Sequence, residues 1–568
     1  MMITRTRLLL HTVPLALIAA ALIGLGPQER QHTDLLLRGG HVLDGSGNPW
    51  FSADVAVKDG RILEVGDLSH YTADRVVDVS GLVVMPGFVD MHSHAADVAW
   101  QDQGFESPDP ARRAAPNLVS QGITTVAINQ DGRSPVDIGA QRARYEATGI
   151  GLNTALMVGH GSIRREVLGS DYRRPATPTE VLRMRSLVRQ ALDDGAAGLS
   201  AGLEYTPGRW SLTSEVVALM EEVTRVDGVY IAHQRSEGAD PMWYWPSVDS
   251  AGPPTLVDAV METIEIGERT GGRVVASHLK AKGAHYWGSS AAAVQLIEAA
   301  RARGVRVWAD QYPYTTSGSD GNTVLLPPWS FSGAPETDDV ADYAAHLYAL
   351  LSDPVTAGRI RDDVAHEIRR RGGAHKVVVL QAPDSDWVGR ALAGFADSLG
   401  VDAVQAALWL QLNGDSSRRG GVRLRGFSMD EMDVDRYAAR DWMATASDAG
   451  IALKGDGPVH PRYWGTFPRK IRRYAIERNV LTVADAVRSA TSLPARLLGL
   501  RDRGLVRPGF VADLAVIDLA DIRDRATTFD PHASPEGIIH VLLAGQFILE
   551  DGLPNGRLAG TVLVPARP

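Results

Sequence analysis

The sequence predicts an α/β chain, a (β/α)8 TIM-like barrel carrying a small β-sandwich built from both chain termini. Three observations predict it. Apolar strand-like runs alternate with amphipathic helical segments through the middle of the chain, the pattern of repeated βα units. Alternating apolar and polar runs occur as a separate set at each end. Histidine and carboxylate residues fall where barrel strands would end, the pole at which such barrels carry their chemistry.

The elements follow in order. Residues 1–30, MMITRTRLLLHTVPLALIAAALIGLGPQER, place Arg5 and Arg7 before an apolar stretch from Leu8 to Gly26. That is the layout of an export signal or an N-terminal membrane anchor, so the protein is expected to be periplasmic or extracellular, released or tethered. Residues 33–85 form the first half of the sandwich, with TDLLLRGGHVLDGSG, DVAVKDGRILEVG and RVVDVSGLVVMPGF as strands and Asp59-Gly60 as a hairpin turn. Residues 86–490 are the barrel. Its strands are GFVDMHSH, GITTVAINQ, NTALMVGH, GAAGLSAGLEY, GVYIAHQ, GRVVASHLK, RVWADQYPY and DWMATASDAG. TPTEVLRMRSLVRQALDDG and SAAAVQLIEAARARG are among the helices between them. Residues 491–568 return to the sandwich through GLVRPGFVADLAVIDL, HVLLAGQFILEDG and GTVLVPA.

Composition narrows the chemistry. A chain of 568 residues that is 44% hydrophobic can bury a large core. A net charge of -10 without a basic stripe argues against nucleic acid as partner. With no cysteine, disulfides, thiolate nucleophiles and thiolate metal ligands are excluded, so a metal must be held by His and carboxylate.

His92 and His94 stand two apart and therefore face the same way along a strand. Alone, the pair reads equally well as half a metal site or as a solvated strand end. His233, His278 with Lys280, and Asp448 close three later strands. Five such residues at strand ends are poorly explained by packing and point to a metal-hydrolase site. Neutral imidazoles would hold a divalent ion that activates water, and Asp448 would carry the proton to the leaving group.

With HSH at 92–94, GLEYTPG at 202–208, HQR at 233–235, SHLK at 277–280, DQYPY at 310–314 and HPRYWGTFPR at 460–469, the chain resembles the amidohydrolase superfamily, and within it the N-acyl-D-amino-acid deacylase (D-aminoacylase) family. The resemblance runs from Asp34 to the C-terminus. It implies one or two zinc ions and hydrolysis of the amide of N-acyl amino acids, D rather than L. The alternatives are a related amidohydrolase acting on a dipeptide or cyclic amide, and a metal-free barrel that only binds.

Two departures sharpen the reading. No lysine occurs between His94 and His278, which disfavours the relatives that bridge two metals with a carboxylated lysine. The cysteine that the D-aminoacylase family places after the second strand is also missing; Asp131 stands at that position, and Glu204 after the fourth strand is the competitor. The resemblance further implies Arg462 as the grip for a substrate α-carboxylate, assisted by Lys280, Tyr205, Tyr312 and Ser319 or Ser317. Lys280 reads alternatively as a charge on the barrel rim. His160 is read as a donor to the developing oxyanion or as packing beneath the site. The loop GADPMWYWPSVDSAGPP has no counterpart in the family; Trp243, Tyr244 and Trp245 would wall an acyl group or pack on the protein's own surface.

Overall fold

The computed structural model describes residues 31–96, 104–318, 323–331 and 342–567; residues 1–30, Ser319 and the remaining segments lie outside the described residues. Eight parallel strands run in chain order as Phe88–Asp90, Ile123–Ile128, Asn153–Gly159, Gly198–Gly202, Val229–His233, Arg273–Ser277, Val307–Gln311 and Met443–Thr445. Each pairs with the next. The first and last are drawn together beyond their ends, where Ser93 bridges Ala449 and the Asp448 N–H donates to His92 O at 2.8 Å. Ile123–Ile128 and Asn153–Gly159 are buried at every position, as strands covered on both faces must be.

The helices that cover the barrel carry their own start signals. Pro178–Asp193 begins with Pro at its first position and a capping box between Thr177 and Glu180, and buries Met184, Val188, Ala191 and Leu192. Leu256–Thr270 has the equivalent box from Thr255 and Asp258 and ends on Gly271 at φ 67°, a left-handed cap.

The small module is one nine-stranded mixed sheet made from both termini. Val83–Pro86 joins the halves by pairing antiparallel with Leu514–Ile517, and Leu37, Val55, Leu514 and Leu542 share its core. The chain passes into the barrel at Gly87, where a Cβ would lie 2.1 Å from the Thr124 side chain. The C-terminal segment does not stay in this sheet. Leu493 and Leu497 pack with barrel residues, and Val562–Leu563 adds in parallel to the strand Asn153–Gly159.

One unit was not anticipated. Between the seventh and eighth barrel strands, four helices, Tyr343–Leu351, Pro354–Arg370, Leu392–Leu399 and Ala403–Asn413, pack with the antiparallel pair Val377–Gln381 and Arg423–Gly426. Leu347, Ile360, Val364, Phe395 and Leu410 form its separate core. The 239–254 loop docks on this unit. Ser247 Oγ donates to Asp363 Oδ2 at 2.7 Å, the Tyr244 ring meets His366, and Arg370 lies over Trp245. Tyr244 and Trp245 thus pack on the insertion and Trp243 lies under Arg209, and none of the three lines the catalytic cavity. None of the described helices is long and apolar enough to cross a membrane.

Candidate metal centre

The strand ends deliver their residues to one point. His92 Nε2 lies 3.4 Å from Asp131 Oδ1, and His94 Nε2 lies 3.6 Å from Asp131 Oδ2. On the other side, His233 Nδ1 and His278 Nε2 each stand 3.7 Å from Asp131 Oδ1 and 3.0 Å from one another. Two ligand groups result, His92/His94/Asp131 and Asp131/His233/His278, sharing one carboxylate. Asp131, His278 and Asp448 all take positive φ (57°, 35° and 52°), backbone that non-glycine residues adopt rarely and mostly at functional sites. The turn at Asp131 fits because the fourth strand ends in Gly202, where a Cβ would sit 2.2 Å from Asp131 O.

Hydrogen bonding fixes the His92 tautomer. Ser277 Oγ donates to Asp310 Oδ2 at 2.7 Å, so it can only accept from His92 Nδ1–H, also at 2.7 Å. His92 Nε2 is left as a bare lone pair. Both it and Asp131 Oδ1 are buried without a hydrogen-bond partner among the described residues. Two facing acceptors with nothing between them fit a cation, and imidazole with carboxylate is a donor set for zinc. Burial holds the His92 imidazole well below its ordinary value and therefore neutral. Burial opposes ionisation of Asp131 as well, but His278 and the other imidazoles around it outweigh that and keep the carboxyl below its usual range.

Asp448 reaches the same point. Its Oδ1 is 3.0 Å from His94 Nε2 and its Oδ2 is 2.9 Å from Arg462 Nη1. Burial raises its pKa, yet Arg462 and His94 more than compensate, so Asp448 is a carboxylate. A cavity of about 510 Å³ opens over the cluster, lined by these groups and by Tyr205, Lys280, Tyr312 and Arg462. Arg462 stands at the start of the helix Arg462–Arg469, 4.8 Å above the Tyr312 ring. Tyr312 Oη has no hydrogen-bond partner among the described residues, and burial pushes the phenol up to about 12, so it remains a donor. Ser317 lines the cavity; Ser319 lies outside the described residues.

Three expectations change. His160 is fully buried beneath the barrel pole with its Nε2 2.8 Å from Glu215 Oε1, and it does not line the cavity. Of the two readings of His160, packing fits this arrangement. Glu204 meets His233 at Nε2, 2.8 Å away, on the ring nitrogen opposite the one that faces Asp131. Lys280 is neither a rim charge nor a free cation. It is buried, donates to Glu237, and sits 2.7 Å from His278 Nδ1.

Glu237 escaped the sequence reading. It lies four residues beyond His233 and accepts from Lys280 and Lys282, with His278 Nδ1 at 3.3 Å. Arg371 and Arg423 were missed also; both come from the inserted unit and line the cavity. Only the spacing HxxxE after the strand end offered a signal for Glu237. Nothing in the sequence announced the two arginines.

Known proteins resemble the chain in sequence and fold. The model of the Amidohydrolase family matches residues 75–225 and 438–549. The chain is 31% identical to an N-acyl-D-glutamate deacylase of Alcaligenes xylosoxydans xylosoxydans, over 93% of this chain and 96% of that one. It is 32% identical to a D-aminoacylase of the same organism, over 95% and 99%. The solved structure of N-acyl-D-glutamate deacylase from Bordetella bronchiseptica, complexed with zinc and a phosphonate inhibitor, superposes with a TM-score of 0.70 at 29% identity, over 94% of this chain and all of that one.

Proposed function

The chain belongs to the amidohydrolase family, with D-aminoacylase and N-acyl-D-glutamate deacylase as relatives along almost its whole length, and from that premise we propose that it hydrolyses the amide bond of N-acyl amino acids, D rather than L, in a metal-dependent reaction. The observation that carries this reading is the sharing of Asp131 between two histidine pairs, with Asp448 and Arg462 paired beside them. Zinc is the ion that the imidazole and carboxylate donors suit, in one or both groups.

A bound divalent ion makes water a better nucleophile and polarises the amide carbonyl. The remaining work falls to this chain's residues. His92, His94, His233 and His278 present lone pairs, and Asp131 supplies the shared anion that the missing cysteine would otherwise give. Asp448 takes the proton of the attacking water at one carboxylate oxygen and returns it to the leaving nitrogen. Arg462 and Tyr312 grip the α-carboxylate of the amino-acid half, two donors of Arg462 matching its two oxygens. Lys280 keeps a positive charge beside that grip. A cup that only bound ligands would have no use for a bare lone pair at His92 Nε2 facing an unpaired Asp131 oxygen, which argues against the metal-free alternative.

The test is hydrolysis of a panel of N-acyl-D- and N-acyl-L-amino acids, dipeptides and cyclic amides by chelated and zinc-reloaded protein. Release of amine from the D-series only after zinc loading supports the reading; preference for dipeptides or cyclic amides overturns it. We further propose that the 1–30 segment exports the chain, supported by Arg5, Arg7 and the apolar stretch after them. N-terminal sequencing of protein from periplasmic, membrane and cytoplasmic fractions tests this, and a cytoplasmic chain with an intact N-terminus would contradict it.

A further inference from the structure

Glu204 is buried and bonded on both oxygens. Its Oε2 accepts from His233 Nε2 at 2.8 Å, and its Oε1 accepts from the Met242 backbone N–H at 2.6 Å. Met242 lies at the start of the 239–254 loop. The carbonyls on either side of that N–H, those of Pro241 and Met242, accept from Arg370 Nη1 at 2.8 Å and Nη2 at 3.1 Å. Arg370 is the last residue of the helix Pro354–Arg370 in the inserted unit and is itself buried. It is held from behind by Glu367 Oε2 at 2.7 Å. An unbroken polar path therefore runs from the insertion to a histidine of the metal centre.

Glu204, His233 and Glu237 also have donor atoms close enough to hold a metal of their own. The charges argue against that use. Glu237 is already paired with Lys280 and Lys282, so two cations occupy the place an ion would take. His233 must also give Nε2–H to Glu204 if Nδ1 is to stay bare toward Asp131, and a carboxylate on the distal nitrogen is what fixes that tautomer in metal-bound histidines.

We propose that Glu204 is a positioning residue that orients His233 toward the metal, and that Arg370 sets Glu204 through the Pro241–Met242 backbone, so that the inserted unit governs the metal centre. The proposal rests on the reading of Asp131, His233 and His278 as metal ligands. It also gives the unmatched loop a purpose: Tyr244 and Trp245 anchor it to the insertion, and its backbone carries the contact inward.

The experiment measures zinc affinity by competition with a chromophoric chelator, and the visible spectrum of the cobalt(II)-substituted full chain, for wild type, Glu204→Ala, Glu204→Gln, Arg370→Ala, Arg370→Lys and the Glu204→Ala/Arg370→Ala pair. Glu204→Ala should weaken zinc by about 10- to 100-fold and shift the cobalt bands. Glu204→Gln, which keeps an acceptor oxygen, should lie nearer wild type. Arg370→Ala should change both readouts in the same direction, and the double variant should be no worse than Glu204→Ala alone. Arg370→Lys serves if the alanine variant does not fold, because lysine cannot span both carbonyls and should also shift the bands.

Wild-type affinity and spectrum in Glu204→Ala or in both Arg370 variants would overturn the proposal. So would losses that multiply in the double variant. Complete metal loss in Glu204→Gln would make Glu204 a ligand and overturn it too. His233→Ala run alongside separates the underlying reading: unchanged zinc there would sink the metal assignment itself.

Discussion

Arg462 Nη1 sits 2.9 Å from Asp448 Oδ2, so the group assigned to grip substrate and the group assigned to move the proton are ion-paired at the floor of one cavity. Both are buried, which makes the pair sensitive to any change in either partner. A substrate α-carboxylate entering here competes for the guanidinium. The two assignments are separable by kinetics.

Arg462→Lys keeps the charge and loses the fork. KM for N-acyl amino acids should rise at least tenfold, because a desolvated carboxylate loses one of two parallel hydrogen bonds, and that is worth roughly 2 kcal/mol or more. The corresponding N-acyl amides, which have no carboxylate, should change little. Steady-state kinetics on both substrate series decide it; equal losses would make Arg462 structural.

Asp448→Asn removes a base while keeping shape and packing. The prediction is a fall in kcat of roughly 100-fold or more with zinc content unchanged, as general-base removal typically gives. Metal analysis must accompany the assay. Loss of zinc in parallel with kcat would make Asp448 a ligand first.

Asp131→Ala should empty both histidine groups, because the two share that one carboxylate. Zinc per chain, measured after dialysis, should drop further than for Glu204→Ala. The reverse order would move the bridge to the fourth strand.

The pH dependence has a definite sign. Burial and Lys280 depress His278, but Asp131, Glu237 and Asp448 win and raise it from 6.5 to about 9 in the metal-free chain. A folded-state pKa above the unfolded one gives stability that is full below about 6.5 and lost as pH rises to about 9. Zinc has to displace that proton, so it binds better over the same interval. The gain in Tm on adding zinc should therefore widen from pH 6.5 to 9, read by thermal unfolding with zinc or chelator. A gain that narrows with pH would contradict the assignment of His278.

Much of this was legible beforehand, for reasons visible in particular residues. Barrel strands such as ITTVAI are buried on both faces and so read as unbroken apolar runs. His92, His94, His233, His278 and Asp448 end such runs, and the fold brings strand ends to one pole. Asp131 was singled out because a missing cysteine left a gap at that place, and the structure sets it between the two histidine pairs. The insertion was not legible, because its helices resemble barrel helices in sequence and only its separate core around Ile360 and Leu410 reveals it. Arg370, Arg371 and Arg423 escaped with it. Glu237 escaped because a carboxylate just past a strand end looks like any exposed loop residue until Lys280 and Lys282 are seen closing on it. His160 carried two readings, and its ring turns toward Glu215, as the packing one requires.

The central claim, metal-dependent cleavage of N-acyl-D-amino acids, is tested most directly by following amine release from an N-acyl-D-amino acid while zinc is titrated into chelated wild type and His233→Ala. Wild-type activity should appear in step with zinc binding and vanish on chelation, and His233→Ala should neither bind zinc tightly nor turn over. Full activity of the chelated wild type, or a zinc-loaded chain without activity on any N-acyl amino acid, would contradict the account.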